Sequence, residues 1–229
     1  LLHLSQRDGH ETESYGDHGG TGLSRTAANP EDTKTTNVLA KLGWNYNDDD
    51  RLGFTYEKYK DRLDSNEKSA VGGPFNNGQP LGMYLSRNGK DTISRERFGL
   101  ENSMALDTAV ADHFKWSLNY QIAKTDQNTL EDYFPFSRHV MRSRNTTYEE
   151  KAWVLDAQAD KAFHIADTDH LLTYGATIKH QKVTGSRSGS GTCLAVGSGC
   201  TAVGADSPKD YLVKSSDFPD PTINTYSLF

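Results

Sequence analysis

The fold is decided by the stretch Phe114-Lys-Trp-Ser-Leu-Asn-Tyr-Gln-Ile122. Its even positions are all aromatic or aliphatic, whereas Lys115, Ser117, Asn119 and Gln121 fill the odd positions. Successive side chains of a β-strand point to opposite faces of the sheet. The stretch therefore predicts a strand with one apolar face and one polar face.

The same alternation recurs along the chain, in ranges 36–46, 52–57, 97–106, 153–163 and 172–179. Partial strands stand near both ends, at Leu2-His3-Leu4 and at Tyr226-Ser227-Leu228. These segments predict an all-β, antiparallel fold of about seven to eight strands.

The connections between the predicted strands alternate in length. Those near 47–50, 107–113 and 164–170 are short, whereas those near 8–35, 60–92, 125–147 and 184–224 are long. Transmembrane β-barrels of the outer membrane have short periplasmic turns and longer extracellular loops. We therefore expect residues 1–229 to form part of an outer-membrane β-barrel domain in contact with outer-membrane lipid.

The polar positions of the strands carry many charges, which a barrel would turn towards its lumen. The residues expected to face the lumen are Arg95, Arg97, Glu101, Lys115, Gln121, Asp156, Gln158, Asp160 and Lys179. A small soluble binding barrel would reverse the faces, but loops near thirty residues are too long for one. The partial strands at both ends favour a slice of a wider barrel.

Composition excludes some classes of protein. Hydrophobic residues make up 34% of the chain, mean hydropathy is −0.73, and 10% of residues are aromatic. A partly disordered soluble β protein is the alternative on composition alone. The net charge of −6 and the absence of a basic stripe disfavour nucleic acid as a partner.

The two cysteines, Cys193 and Cys200, lie in a stretch rich in Gly and Ser. This spacing predicts a small disulfide loop in an oxidising compartment, with two reduced thiols as the alternative. Further zinc ligands do not cluster near them, so we expect no metal site there.

Four strings resemble the TonB-dependent haem and haemoprotein receptors, with the pseudomonad haem-uptake branch as the nearest resemblance. They are 5–11 (SQRDGHE), 93–100 (ISRERFGL), 153–158 (WVLDAQ) and 170–176 (HLLTYGA). The resemblance implies a 22-stranded barrel closed by an N-terminal plug. It also implies extracellular loops that capture an iron compound, and a TonB complex that drives uptake through the plug.

The chain departs from that family in two ways. Residues 1–229 contain no plug, and the FRAP-type and NPNL-type motifs of the haem branch are missing. The haem-contacting residues of the family therefore cannot be carried over to positions of this sequence.

Haem capture needs an axial donor such as His or Tyr beside an apolar slot. The predicted long loops offer His10, Tyr15, His18, Tyr133 and His139. The alternative is that these side chains only pack the loops together. We expect haem as a transported ligand, without a covalently bound cofactor.

The sequence also leaves rival functions open. A siderophore receptor, a passive porin, and an adhesion or docking barrel used by phage or bacteriocins would show the same strands. Arrangements of catalytic residues do not stand out, so we do not expect an enzyme.

Overall fold

The predicted all-β, antiparallel fold is confirmed. The structure is a computed structural model that describes residues 1–13, 16–73, 75–76, 79–80, 82–135, 138–196, 200–206 and 220–229. Eight strands form one sheet in the order β1-β2-β3-β6-β7-β8-β9-β10. They are β1 Leu2–His10, β2 Glu31–Asn45, β3 Arg51–Asn66, β6 Met83–Ala105, β7 His113–Phe134, β8 Val140–Ile165, β9 Thr168–Cys193 and β10 Thr222–Leu228.

Two small elements lie in the connection between β3 and β6. A 3-10 helix spans Lys68–Ala70, and strands β4 (Phe75–Asn76) and β5 (Gln79–Pro80) pair as a minimal hairpin. Apart from this detour, each long strand pairs with the next one along the chain. This up-and-down order is the arrangement of a β-barrel fragment.

The short connections at one end of the sheet are tight turns. Ala166 and Asp167, between β8 and β9, both have positive φ, at 48° and 63°. Positive φ at both central residues is what a two-residue type I′ hairpin turn requires. The other two connections at this end span 46–50 and 106–112, so all three stay close to the strand ends.

The strands at the opposite end extend into ranges that the sequence pattern predicts as loops. β7 and β8 continue to Phe134 and back from Val140, so only 135–139 connects them instead of 125–147. Polar residues occupy both faces over much of these extensions, as in 125–129 and 142–147, and this removes the period-two signal there. The backbone pairing continues there, supported by cross-strand contacts such as Thr147 Oγ1 to Asp126 at 2.8 Å.

The register places the apolar residues of neighbouring strands on one face. One cross-strand row runs Leu42, Phe54, Leu100, Leu118, Leu155, Ile178 and Tyr226. We call this side the apolar face and the alternate positions the polar face. Leu42 is 70% exposed and Tyr226 72% exposed, which is unusual for large apolar side chains that share one surface.

Apolar residues are seldom buried. Among the described residues, the buried ones are Ala111, Val140, Ala152, Ala159, Cys193 and Cys200. In the described part of the chain, no protein core packs against the apolar face, as expected for strands that present this face to lipid. Among the described residues, no helix is long and apolar enough to cross a membrane.

The polar residue Asn102 lies between apolar residues on the apolar face. It pairs with Leu52 and Trp116 on the neighbouring strands, and its side-chain oxygen accepts a hydrogen bond from the Tyr46 hydroxyl at 3.1 Å. Asn102 is therefore satisfied by an aromatic residue beside the β2–β3 turn.

Candidate functional site

Three cavities among the described residues open on the polar face of the sheet. One of them, at the turn end of the sheet, has a volume of about 640 Å³. Side chains from β3, β6, β7, β8 and β9 line it, among them Arg51, Glu101, Ser103, Lys115, Ser117, Asp156, Gln158 and Thr177. These residues include the lumenal Glu101, Lys115, Asp156 and Gln158 expected from the sequence.

A chain of polar contacts crosses the polar face from β3 to β9. Glu57 lies 3.9 Å from Arg97, which donates hydrogen bonds to the Asn119 side-chain oxygen at 2.9 and 3.3 Å. From Asn119 the series of hydrogen bonds continues through Ser117 to Asp156, which accepts a hydrogen bond from Thr177 Oγ1 at 2.7 Å. The wall of the cavity is thus a connected polar network rather than a set of independent charges.

Two glycines make room for this network. A Cβ atom at Gly53 would lie 2.6 Å from a carboxylate oxygen of Glu101, and one at Gly99 would lie 2.9 Å from Asn119 Oδ1. Side chains at these two positions would displace the polar groups of the neighbouring strands. Glycine therefore fits where one strand closely approaches the side chains of the next.

The best-packed part of the molecule lies on the strand extensions at the long-connection end. Glu131 on β7 is 1% exposed and accepts a 2.5 Å hydrogen bond from Nε of Arg142 on β8. Arg87 lies 3.5 Å from the same carboxylate and Arg144 lies 3.8 Å from it. Burial lowers the pKa of Arg142, but the hydrogen bond and charge of Glu131 outweigh burial and keep that pKa above its ordinary value.

The geometry at Arg87 combines two ion pairs without a hydrogen bond. Its Nε lies 3.3 Å from the Glu67 carboxylate and within ion-pair distance of Glu131, but it meets the angular requirements for a hydrogen bond with neither. We therefore treat the contacts of Arg87 as electrostatic. They link β6 and the segment before the 3-10 helix to the buried carboxylate.

Tyr133, one of the predicted ligand candidates, is part of the same cluster. Its ring lies 4.8 Å from that of Tyr84, and the Arg142 guanidinium lies 4.4 Å from the Tyr133 ring centroid. Arg142 also donates to the Tyr84 hydroxyl at 3.3 Å. The Tyr133 ring is therefore held by a cation–π contact and by aromatic packing.

His139 lies at the β7–β8 connection with its ring already engaged. Its Nε2 is 2.6 Å from Asp132 Oδ1, and its ring stacks on Phe134 at 4.3 Å with an interplanar angle of 10°. An axial haem ligand needs a ring nitrogen free to coordinate iron. His139 could use Nε2 for this purpose only after breaking its contact with Asp132.

The disulfide predicted from the sequence is present between Cys193 and Cys200, with a Cα–Cα distance of 5.9 Å. Both cysteines are buried and cluster with Val140, the first residue of β8. The Leu194 amide donates to the His139 carbonyl at 2.7 Å. The disulfide therefore packs against the first residue of β8, and the residue after Cys193 is hydrogen-bonded to the residue before β8.

The remaining candidates lie in the connection between β1 and β2. The His10 ring contacts the Glu11 carbonyl through Nδ1 at 3.0 Å, and both His10 and His18 are exposed. In the described part of the chain, the His18 ring makes no hydrogen bond, whereas its backbone carbonyl accepts from Thr26 and Ala27. Tyr15 lies outside the described residues.

Hydrogen bonds tie this first connection to the sheet and to the next connection. The Glu31 amide donates to the Glu11 carboxylate at 3.2 Å and holds the pKa of Glu11 below its usual range. Asn29 contacts Ser69 through both its side-chain atoms, at 2.9 Å each. The connection is therefore anchored near its β2 end.

The sheet does not bring the two groups of candidates together. His10 and His18 belong to the β1–β2 connection, whereas Tyr133 and His139 belong to the β7–β8 hairpin, and β3 and β6 lie between these hairpins in the sheet. Tyr133 and His139 also differ in environment, since Tyr133 joins the cluster around Glu131 and His139 pairs with Asp132.

The sequence interpretation missed Glu131, Arg87 and Arg142. The signal was a symmetric spacing: Glu131 and Arg142 are opposite each other when the hairpin is centred between 136 and 137. That relation becomes visible only if 125–147 is interpreted as paired strands rather than as a loop.

No family model matches the chain. Two curated proteins from Neisseria meningitidis, one from serogroup C and one from serogroup A, are both named haemoglobin-haptoglobin utilization protein B. Each is 30% identical to this chain over 109 residues, which cover 48% of the chain and 13% of the relative's length. These matches do not support the narrower resemblance to the pseudomonad branch; the chain is similar, over about half of its length, to a small part of these neisserial proteins.

Proposed function

We propose that the chain is part of a TonB-dependent outer-membrane receptor that takes up haem, or haem carried by haemoproteins. The observation that carries the ligand class is the 30% identity to haemoglobin-haptoglobin utilization protein B. The membrane part of the proposal is supported by the exposed apolar face and by the polar face that lines the cavities. The function is transport without chemical conversion of the ligand.

The strand extensions suit a role in capture outside the cell. The cluster around Glu131 and the disulfide loop stiffen the β7–β8 hairpin well beyond the apolar part of the sheet. A rigid hairpin loses little conformational entropy when it binds a large partner. We propose that this hairpin contacts a haemoprotein, and that passage then depends on a plug and on the TonB complex.

Spectral titration of the full-length receptor with haem, in detergent, tests the ligand class. The expected result is a shifted Soret band that saturates at a fixed stoichiometry. Haemoglobin immobilised on a sensor should also retain the receptor. If haem leaves the spectrum unchanged and haemoglobin retains none of the receptor, the ligand assignment fails.

Single substitutions separate the candidate donors. His10→Ala or His18→Ala should reduce the Soret shift if the first connection supplies the axial imidazole, because both rings are exposed. His139→Ala is the matched control, since Asp132 engages its Nε2. Loss of the shift only in His139→Ala would contradict this ranking.

A further inference from the structure

A band of lysines lies on the apolar face where the apolar rows end. We define the lysine band as Lys58 and Lys60 on β3, Lys124 on β7, Lys151 on β8 and Lys182 on β9. On β3, Lys58 and Lys60 are the next two positions on the same face after Tyr56. On β8, Lys151 is the next such position after Trp153.

The boundary below the band is aromatic. Tyr56, Phe98, Tyr120 and Trp153 form one continuous cross-strand row. Tyr56 and Phe98 have ring centroids 5.1 Å apart, and those of Tyr120 and Trp153 are 4.3 Å apart. Aromatic girdles of this kind mark the level of lipid headgroups in outer-membrane barrels.

The protein neutralises the charge of the band only in part. Within its two cross-strand rows, the five lysines face two carboxylates, Glu96 and Glu149. Lys58 lies 3.8 Å from Glu96, Lys151 lies 2.6 Å from Glu149, and Lys124 lies 2.8 Å from Asp126, two residues further along β7. Lys60 and Lys182 form no ion pair with any residue that the structure describes.

Two lysines of the band are directly opposite each other. Lys151 on β8 pairs in register with Lys182 on β9. Like charges directly opposite on neighbouring strands are unfavourable. An anion bound from outside the protein would relieve this repulsion.

The other end of the sheet has the opposite charge. Its turns carry six aspartates, and a seventh lies at the start of β9, with Lys161 and Arg51 as nearby cations; the aspartates are Asp48, Asp49, Asp50, Asp107, Asp112, Asp167 and Asp169. Lys161 is itself bound to Asp112. An anionic lipid surface would therefore be attracted to the lysine band and repelled from the turns.

We propose that the lysine band binds the phosphate groups of the outer leaflet's glycolipid, the headgroup chemistry of lipid A. The inference rests on the outer-membrane location in the proposed function, but not on haem as the ligand. The long aliphatic stem of lysine can lie along the apolar face while its ammonium group reaches the headgroups. Lys151 and Lys182 lie on neighbouring strands and could share one phosphate group, whereas Lys60 lies three strands away from Lys151 and would contact a second one.

Native mass spectrometry of the full-length receptor in detergent provides the test. The two probes are lipid A with both phosphates and the same lipid A after enzymatic removal of both phosphates. The parent protein should retain the phosphorylated lipid and lose the dephosphorylated one. Equal retention of both lipids would overturn the proposal.

The double variant Lys60→Gln with Lys182→Gln removes the two lysines without an ion pair. Each lysine near an anionic surface accounts for about a fivefold change in affinity, so the variant should bind the phosphorylated lipid roughly 25-fold more weakly. The control is Lys41→Gln with Lys115→Gln, which makes the same charge change on the polar face. An equal loss in the control, or no loss in the double variant, would reject the lysine band as the binding surface.

The same samples are titrated with haem. Retained phosphate selectivity without a Soret shift would support the lysine band as a phosphate-binding surface and contradict haem as the ligand. A Soret shift without phosphate selectivity would do the reverse. The two proposals can therefore fail separately.

Discussion

Leu118 and Asn119 are neighbours in the chain but lie in different surroundings. Leu118 belongs to the row of seven apolar residues that crosses the sheet, whereas Asn119 accepts hydrogen bonds from Arg97 on the opposite face. The difference teaches that neighbouring residues of one strand must satisfy different conditions. Residues on one face must be apolar, and residues on the other face must form polar contacts. The effect of a substitution should therefore depend on which face of the sheet the residue occupies more than on its place along the strand.

The largest effect is expected from Leu118→Arg. A cation on the lipid face near the bilayer midplane costs roughly 2–4 kcal/mol. The full-length variant should fail to assemble in bilayers. Assembly is measured as the fraction of unboiled protein that migrates with the mobility of the folded barrel.

Ser117→Arg is the matched control for that change. It places the same side chain one residue earlier, where Ser117 lines the 640 Å³ cavity between Glu101 and Asp156. Two carboxylates and open space should accommodate the guanidinium, so assembly should stay close to that of the parent. If both variants assemble equally, or only Ser117→Arg fails, the assignment of the two faces is wrong.

The parity of the strands could be predicted from sequence because alternation is a local property. The spacing of Trp116, Leu118 and Tyr120 places their side chains on one face without knowledge of any other strand. The polar positions Arg97 and Asp156 could be placed on the opposite face for the same reason. Their contacts with Asn119 and Thr177 depend on the register between neighbouring strands. Alternation alone does not fix that register, because shifting a strand by two residues leaves the same side chains on each face.

The strand extensions and their cluster could not be predicted by the same reasoning. Where both faces are wet, as around Asp126 and Thr147, alternation between apolar and polar residues disappears although the backbone remains paired. Glu131 therefore looked like a loop residue in the sequence and lies buried in the structure. The pairing of Asp132 with His139 depends on the same hairpin geometry.

A smaller effect is expected from Glu131→Gln. This residue lies on the extension of β7, beyond the rows of apolar residues, and its substitution tests whether a buried ion cluster stabilises that part of the sheet. The substitution keeps the shape but removes the charge that Arg142, Arg87 and Arg144 surround. A hydrogen bond to a charged group contributes about 2 kcal/mol, so the hairpin should open more often. Hydrogen–deuterium exchange of backbone amides in 127–134 and 140–145 should be faster than in the parent.

Glu149→Gln is the control for the buried carboxylate. Glu149 pairs with Lys151, and their side chains are 26% and 46% exposed. An exposed ion pair contributes less than about 1 kcal/mol. Faster exchange in Glu149→Gln than in Glu131→Gln would show that burial does not set the strength of these pairs.

The smallest effect is expected from Asn119→Ser on the polar face. The shorter side chain gives up the hydrogen bonds from Arg97, but Arg97 retains its ion pair with Glu57 and borders a cavity that water can enter. A net loss of at most about 1 kcal/mol follows, because water replaces the lost partner. The fraction assembled should not change, and the urea concentration at half-unfolding should fall only slightly. A loss of assembly as large as that of Leu118→Arg would mean that the polar face is tightly packed rather than wet, and the contrast between Leu118 and Asn119 would then reflect packing instead of two different solvents.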